Sequence, residues 1–215
     1  MMVSRTAFAR CAPFGLFIAL LVLGSYVREP WLVAARGAIV AVALMWFWWD
    51  YGELRRPTRA RGSDWVLGVA AGVAVFVAWI WLDQDWATMS RSPGFDPLHE
   101  DGRVNWPLAT VRLAGLALVV PIMEELFWRS FLMRWLDRHD FLELAPQHIG
   151  TRALLITTVL FALEHNQWLA GGIAGLVYGG LYMRSGNLWV PILAHAITNA
   201  ALGIWILNTQ NWHFW

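Results

Sequence analysis

The chain has 215 residues, of which 58% are hydrophobic and only 14% are charged, against roughly 25% charged residues in a typical soluble domain. This composition excludes an ordinary soluble globular domain and predicts an all-α polytopic membrane bundle of about seven to eight transmembrane helices in a lipid bilayer. The formal net charge of +1 gives no reason to expect a nucleic-acid partner.

The apolar runs are not separated by any long polar or Pro/Gly/Ser-rich linker, so we expect residues 1–215 to form a single transmembrane domain. A further helix near 132–144, lying at the membrane interface, would bring the number of helices to eight. The single cysteine, Cys11, excludes an intrachain disulfide and a cysteine metal cluster. Seven candidate helices lie near 11–28, 31–50, 65–82, 107–127, 152–168, 170–184 and 187–207.

The distribution of charge between the helices predicts the orientation of the chain. Four arginines lie between the second and third candidate helices, and short Arg-rich loops stay in the cytoplasm. The segment 83–106 contains five acidic residues and is expected on the opposite side. Alternation along the chain then places the N-terminus in the cytoplasm.

Small residues recur on the sixth candidate helix. Gly171, Gly175 and Gly179 are four residues apart, a spacing that allows helix backbones to approach closely, so we expect this helix at the centre of the bundle. Gly68 and Gly72 repeat the spacing once on the third candidate helix. Most of the tryptophans lie at the predicted helix ends, a distribution typical of an aromatic interface belt.

Three charged residues, Glu124, Glu125 and Arg129, directly follow the apolar run that starts at Pro107. A charge at the centre of a membrane helix costs about 3 kcal/mol on insertion scales, so we expect these residues to pair or to function. In an α-helix Glu125 and Arg129 lie about 40° apart and can form an ion pair, whereas Glu124 points about 140° from Arg129. The spacing therefore predicts one structural acid and one available acid. A buried salt-bridge cluster without chemistry is the alternative.

Two further polar motifs follow. Phe161 precedes His165 by four residues near the end of the fifth candidate helix, and the adjoining Glu164 points about 100° away from that histidine. His195 and Asn199 are one turn apart inside the seventh candidate helix, where an asparagine can orient the imidazole or donate to an oxyanion. Hydrogen bonding between helices is the alternative for both motifs.

Neither HExxH nor G-x-S-x-G occurs in the chain. The remaining set of polar residues suits general-base activation of water, with histidine and asparagine stabilising the oxyanion, and peptide-bond hydrolysis is the natural reaction class. The residues Glu124, His165 and His195 could equally ligate zinc and leave one position for water.

The three motifs resemble the CAAX protease and bacteriocin-processing family of membrane proteases, whose pattern is EExxxR, then FxxxH, then HxxxN. The matching stretches run from Glu124 to Arg129, from Phe161 to His165 and from His195 to Asn199, within a core of about 107–207. The resemblance implies that Glu124 is the water-activating base and that Glu125 and Arg129 support it. It also implies that His165, His195 and Asn199 complete the site.

The resemblance further implies an intramembrane endopeptidase that cuts a membrane-bound protein or peptide, in a bacterial inner membrane. The stretch from Phe161 to Gly172 is similar to the branch associated with exosortase and PEP-CTERM systems. Glu164 differs from the small residue common before the motif histidine. We expect that no metal is required, with a divalent metal such as zinc as the alternative.

Two other functions fit the same residues. A non-catalytic membrane assembly or immunity factor could keep the site residues for stability. A transporter could use Glu124 and His165 as a proton relay, but the inverted repeats expected of a transporter are not seen in the sequence.

The predicted helix ends conflict with a site shared by Glu124 and His165. They place Glu124 near the cytoplasmic end of its helix and His165 near the outer end of another, about 10 to 15 Å apart in depth. A fourth helix running past Arg134, a fifth helix starting nearer Leu155, or a break at Pro121 would each reduce this separation.

Overall fold

A computed structural model describes residues 4–27, 29–90 and 94–215 of the chain. It is 77% helical, and the residues it describes form eight helices and no strand, which confirms the all-α prediction. The helices are α1 Arg5–Tyr26, α2 Pro30–Trp46, α3 Gly52–Arg55, α4 Gly62–Trp81, α5 Trp106–Trp135, α6 Thr151–Glu164, α7 Trp168–Ser185 and α8 Trp189–Thr209.

Four of these helices, α1, α4, α5 and α8, are long and apolar enough to cross a membrane. Each of the seven predicted apolar runs corresponds to a helix, but three of these helices are too short or not apolar enough to count as membrane spans. Helix α2 has 17 residues, α6 has 14 residues and is only about 21 Å long, and the arginine and the many glycines of α7 lower its hydropathy. The bundle is polytopic, with short helices that end inside it.

Helix α5 contains two π-helical segments, Gly115–Val119 and Leu126–Leu132, on either side of the two glutamates. It continues beyond the predicted end at 127 to Trp135, and Arg134 in its last turn is buried within the fold. The guanidinium of Arg134 donates to the carbonyls of Leu142 at 2.8 Å and Leu144 at 2.9 Å, so the following loop folds around it. The alternative of a separate interfacial helix at 132–144 is not formed, because its first residues end α5 at Trp135 and the rest contains one 3-10 turn, Phe141–Glu143.

Glycines set the closest helix contacts. A Cβ atom on Gly171 would lie 3.0 Å from His165 Cβ, and one on Gly175 would lie 3.2 Å from Thr158 Cα. The small-residue stripe thus packs α7 closely against the end of α6. Helix α7 is also one of the most buried helices, as the spacing predicted.

A buried ionic cluster joins α1, α3 and α5. Arg10 donates to Glu53 at 2.9 and 2.6 Å, and Ser130 donates to the same carboxylate. Burial alone would raise the pKa of Glu53, but the charge of Arg10 and the hydrogen bonds from Arg10 and Ser130 outweigh it, so the pKa lies below its usual value. Because Ser130 follows Arg129 directly, this cluster fixes the half of α5 that carries the arginine.

Candidate active site

A cavity of about 640 Å³ opens among the helices and contains residues from all three sequence motifs. Three apolar side chains of α1, those of Phe17, Ile18 and Leu21, also line it. The motif residues in its wall are Glu124, Phe161, His165, His195 and Asn199. The structure therefore brings together residues that are up to 75 positions apart in the chain.

Glu125 lies between two partners on different helices. Its Oε2 atom is 3.1 Å from Nε of Arg129, which is the ion pair predicted from the spacing, and its Oε1 atom is 3.0 Å from Nδ1 of His195. The Glu125 side chain has no exposed surface and that of Arg129 has only 2%. A pair buried this deeply requires good geometry to offset its desolvation, and the contact with His195 uses the remaining oxygen.

Arg129 is enclosed by aromatic rings. Its guanidinium carbon lies 4.5 Å from the centre of the Phe161 ring and 5.6 Å from that of Tyr178. Nη2 also contacts the carbonyl of Gly175 at 3.4 Å, where the missing side chain lets α7 come close. The rings replace water around the cation, and its contact with Glu125 is made by Nε alone.

Glu124 has the free carboxylate that the helical spacing predicted. It is buried, and its Oε2 atom has no hydrogen-bond partner within the described part of the chain. This oxygen is 4.0 Å from Nε2 of His195, and the side chain lines the cavity. An unpaired buried acceptor is costly, so it indicates a ligand or water that binds there.

His165 caps α6 rather than lying within it. Its Nδ1 atom is 2.8 Å from the carbonyl of Phe161, and because a carbonyl can only accept, Nδ1 carries the hydrogen. Its ring packs against those of Trp79 and Phe161. The short α6 ends inside the bundle at Glu164. Helix α5 corresponds to the fourth predicted helix, and it extends to Trp135, which confirms the alternative of a fourth helix that runs past Arg134.

Asn199 donates from Nδ2 to the carbonyl of Leu116 at 2.9 Å. This carbonyl has lost its backbone donor. In the π-helical segment the N–H of Val120 bonds to Gly115 instead, and the next residue is Pro121, which has no N–H. The amide of Asn199 therefore replaces a missing helical hydrogen bond beside the cavity, while Glu125 rather than Asn199 orients His195.

Sequence reasoning missed Tyr178 and Thr198 as parts of the site. Tyr178 stacks on the His195 ring at 4.9 Å and donates its hydroxyl hydrogen to Thr198 at 2.7 Å, and Thr198 in turn donates to the carbonyl of Gly72 at 2.8 Å. A tyrosine in an apolar helix needs a partner for its hydroxyl, so Tyr178 carried a signal that could have been followed.

Two other residues were left without a role and lie in the cavity wall. Glu164 accepts a hydrogen bond from Nε1 of Trp128 at 3.1 Å, and so faces α5 rather than His165. His213, near the C-terminus, also lines the cavity, and its Nε2 atom lies 2.9 Å from Asp83. The C-terminal segment folds back over the site.

The predicted metal ligands do not form a complete coordination group. Glu124 and His195 approach each other at 4.0 Å, and His165, whose Nδ1 atom bonds to a backbone carbonyl, has Nε2 as its one remaining ligand atom. Over the residues that the structure describes, no group of three His, Cys, Asp or Glu side chains is placed to hold a metal ion. The donor set as arranged does not fit a three-ligand site of the zinc type.

Comparison with protein families gives one match, over residues 106–201, to the family described as type II CAAX prenyl endopeptidase Rce1-like. Comparisons with curated proteins and with solved structures found no match. The matched segment contains α5 to α7, the first part of α8 and all three motifs, which confirms the resemblance to CAAX proteases. Residues 106–201, a little under half of the chain, therefore match the family described as type II CAAX prenyl endopeptidase Rce1-like, which is consistent with a CAAX protease.

Proposed function

We propose that the protein is an intramembrane endopeptidase in which Glu124 activates the attacking water. The observation that carries this proposal is the unpaired Oε2 atom of Glu124, which lies in the cavity 4.0 Å from His195. A buried carboxylate with a free oxygen can accept a proton from a water placed between it and a substrate carbonyl.

The reaction adds one water across a peptide bond. Glu124 takes a proton from water as the oxygen attacks the carbonyl carbon, and the carbonyl oxygen becomes an oxyanion. When the tetrahedral intermediate collapses, the C–N bond breaks and Glu124 returns the proton to the leaving nitrogen. The products are a carboxylic acid and an amine, and Glu124 is regenerated.

The surrounding residues stabilise the charge that develops. His195 bonds to Glu125 through Nδ1, which fixes the direction of its ring and leaves Nε2 4.0 Å from Oε2 of Glu124, where it can contact the water or the substrate. His165 presents its Nε2 atom from the cap of α6, because Nδ1 is already bonded. Arg129 balances the charge of Glu125. Asn199 supports the wall of the cavity through Leu116 and supplies an amide beside it.

The substrate in this proposal is a membrane-associated protein or peptide cut in its terminal region. The proposal includes no required metal, since among the described residues the side chains of Glu124, His165 and His195 are not placed as a group to hold an ion. A bacterial inner membrane, a cytoplasmic N-terminus, the exosortase-associated branch and the single-domain organisation remain predictions from the sequence.

The test is a comparison of protein C-termini in membrane and secreted fractions of cells that express the wild type or Glu124→Gln. We expect tails that are shortened only by the wild type, although the variant inserts to the same level. Full processing by Glu124→Gln would rule out the mechanism. Identical C-termini in cells with and without the wild-type protein would favour the non-catalytic assembly or immunity factor.

A further inference from the structure

Two arginines lie in the same cavity as Glu124, in a part of it that the proposed chemistry does not use. Arg36 is on α2 and Arg112 is on α5, twelve residues before Glu124. Neither has an acidic partner among the residues for which the structure gives contacts. Arg112 is only 7% exposed, and its like charge is repelled by that of Arg36.

A contact between two glycines brings these arginines together. A Cβ atom on Gly37 would lie 2.4 Å from Gly115 Cα, so the backbones of α2 and α5 touch at this point. Arg36 precedes the first glycine directly, and Arg112 is three residues before the second. The helix crossing thus places two cations in the wall of one cavity, in a low-dielectric region where each is costly without an anion.

Hydrogen-bond donors at this end of the cavity lack acceptors. The Nε atom of Arg112 and the Nε1 atom of Trp215 are both buried and have no partner within the described residues. The guanidinium carbon of Arg112 lies 5.6 Å from the Trp215 ring and 4.6 Å from the Phe95 ring. For Arg36, the structure gives one bond, from Nε to the carbonyl of Val33. Unused donors from three segments therefore converge on one place.

The wall between the arginines and Glu124 is mostly apolar. It includes side chains of α1, α5 and α8, namely Phe17, Ile18, Leu21, Leu116, Val120 and Leu202. Twelve residues at 1.5 Å each place Arg112 about 18 Å from Glu124 along α5. An extended peptide covers this distance in about five residues. The cavity thus has a free acceptor at one end, an apolar middle and free donors at the other end.

We infer that Arg36 and Arg112 form an anion-binding subsite that holds the free C-terminal carboxylate of the substrate tail, about five residues beyond the bond that is cut. Arginine forks match the geometry of a carboxylate. A cavity of about 640 Å³ has the size of a site for one small ligand and fits a single extended tail better than a two-chain lipid. This inference rests on the proposed function, because it names the feature of the substrate that the same site recognises.

The test uses two fluorogenic peptides with the sequence of a tail that the wild type shortens, differing only in a C-terminal carboxylate or carboxamide. We expect the wild type to prefer the carboxylate by roughly 10- to 100-fold in kcat/KM, the range for charge-assisted hydrogen bonds, and mainly through KM. The double variant Arg36→Gln/Arg112→Gln should bring the ratio close to one. Arg56→Gln, at an exposed arginine outside the cavity, is the matched control and should keep the ratio.

Binding separates failure of this inference from failure of the proposed function. Glu124→Gln protein should bind the carboxylate peptide more tightly than the amide by the same factor, whether or not any peptide is cut. If the double variant unfolds, Arg36→Gln alone, at a half-buried position, should lower the preference, and Arg112→Lys should retain part of it.

Three results would overturn the subsite. Equal binding of both peptides by the Glu124→Gln protein is the first. A preference that persists in the folded double variant is the second. The third concerns activity in phosphatidylcholine vesicles. If added phosphatidylglycerol increases this activity only when both arginines are present, and neither peptide is preferred, the arginines bind a lipid phosphate.

Discussion

Asn199 on α8 donates a hydrogen bond to the carbonyl of Leu116 on α5, at the point where a π-helical segment and Pro121 leave that carbonyl without a backbone donor. The asparagine of the third motif is therefore coupled to the helix that carries the first motif. It stabilises the local register of α5 just before the two glutamates.

Replacement of Asn199 should affect stability as well as activity. We expect Asn199→Ala to lower the free energy of unfolding by about 1–3 kcal/mol, because the buried carbonyl of Leu116 loses its only described donor. Thermal unfolding in detergent micelles would measure the change. The exposed Asn208, which bonds to the carbonyl of Ile204, is the matched control, and Asn208→Ala should change stability by less than about 0.5 kcal/mol. Equal stability of the two variants would contradict the coupling.

The two adjacent glutamates should respond differently to the same substitution. Glu124→Gln should abolish peptide cleavage with little loss of stability, because Glu124 is not paired with a buried arginine. Glu125→Gln should lose activity and also about 3–5 kcal/mol of stability, because it leaves Arg129 as an unbalanced buried charge. Cleavage rates and unfolding midpoints of both variants check this division of roles. Equal stabilities of the two variants would refute it.

The ionic cluster of Arg10 and Glu53 should make stability depend on pH. The pKa of Glu53 is lowered in the folded protein, so its contribution is complete above the unfolded pKa and is lost as pH falls through the folded pKa. At pH 7 we expect Glu53→Gln to be less stable than the wild type by about 3–5 kcal/mol, since Arg10 stays buried without a counterion. Unfolding curves from pH 7 to pH 3 should show this difference decreasing, and a constant difference would argue against the assignment.

Removal of metal should not stop cleavage. The donors Glu124, His165 and His195 do not assemble into a ligand group, so we expect 1,10-phenanthroline or EDTA to leave kcat/KM within about twofold of the untreated value. Metal analysis of protein purified without chelators provides the second measurement. A loss of activity that added zinc restores would show that the ligands converge around an ion.

Much of the site followed from local spacing. A separation of four residues predicted the ion pair of Glu125 and Arg129, and the free carboxylate of Glu124 followed from the same helical geometry. This worked because neighbours on one helix are fixed by the helix itself. The expected oxyanion and base roles of the motif residues stay predictions until activity is measured.

The contacts between helices did not follow from the sequence. No periodicity indicates that Arg134 would be buried against a loop, that α6 would end at His165, or that α2 would bring Arg36 beside Arg112. Each depends on where two helices cross, and one-residue changes in rise or register, such as the π-helical segments, are invisible to an assumed α-helical repeat.

The two π-helical segments of α5 also make the geometry of the active site depend on the other helices. In each segment the backbone hydrogen bonds span five residues instead of the four of an α-helix, and the compensating contacts come from Asn199 on α8 and from the Arg10 cluster on α1 and α3. Helix α5 on its own would relax to regular α-helical winding, which turns later residues by about 100° for each residue gained or lost. The direction in which Glu124 points is therefore a property of the assembled bundle, so variants distant from the cavity that alter helix packing can rotate the carboxylate out of position without touching it.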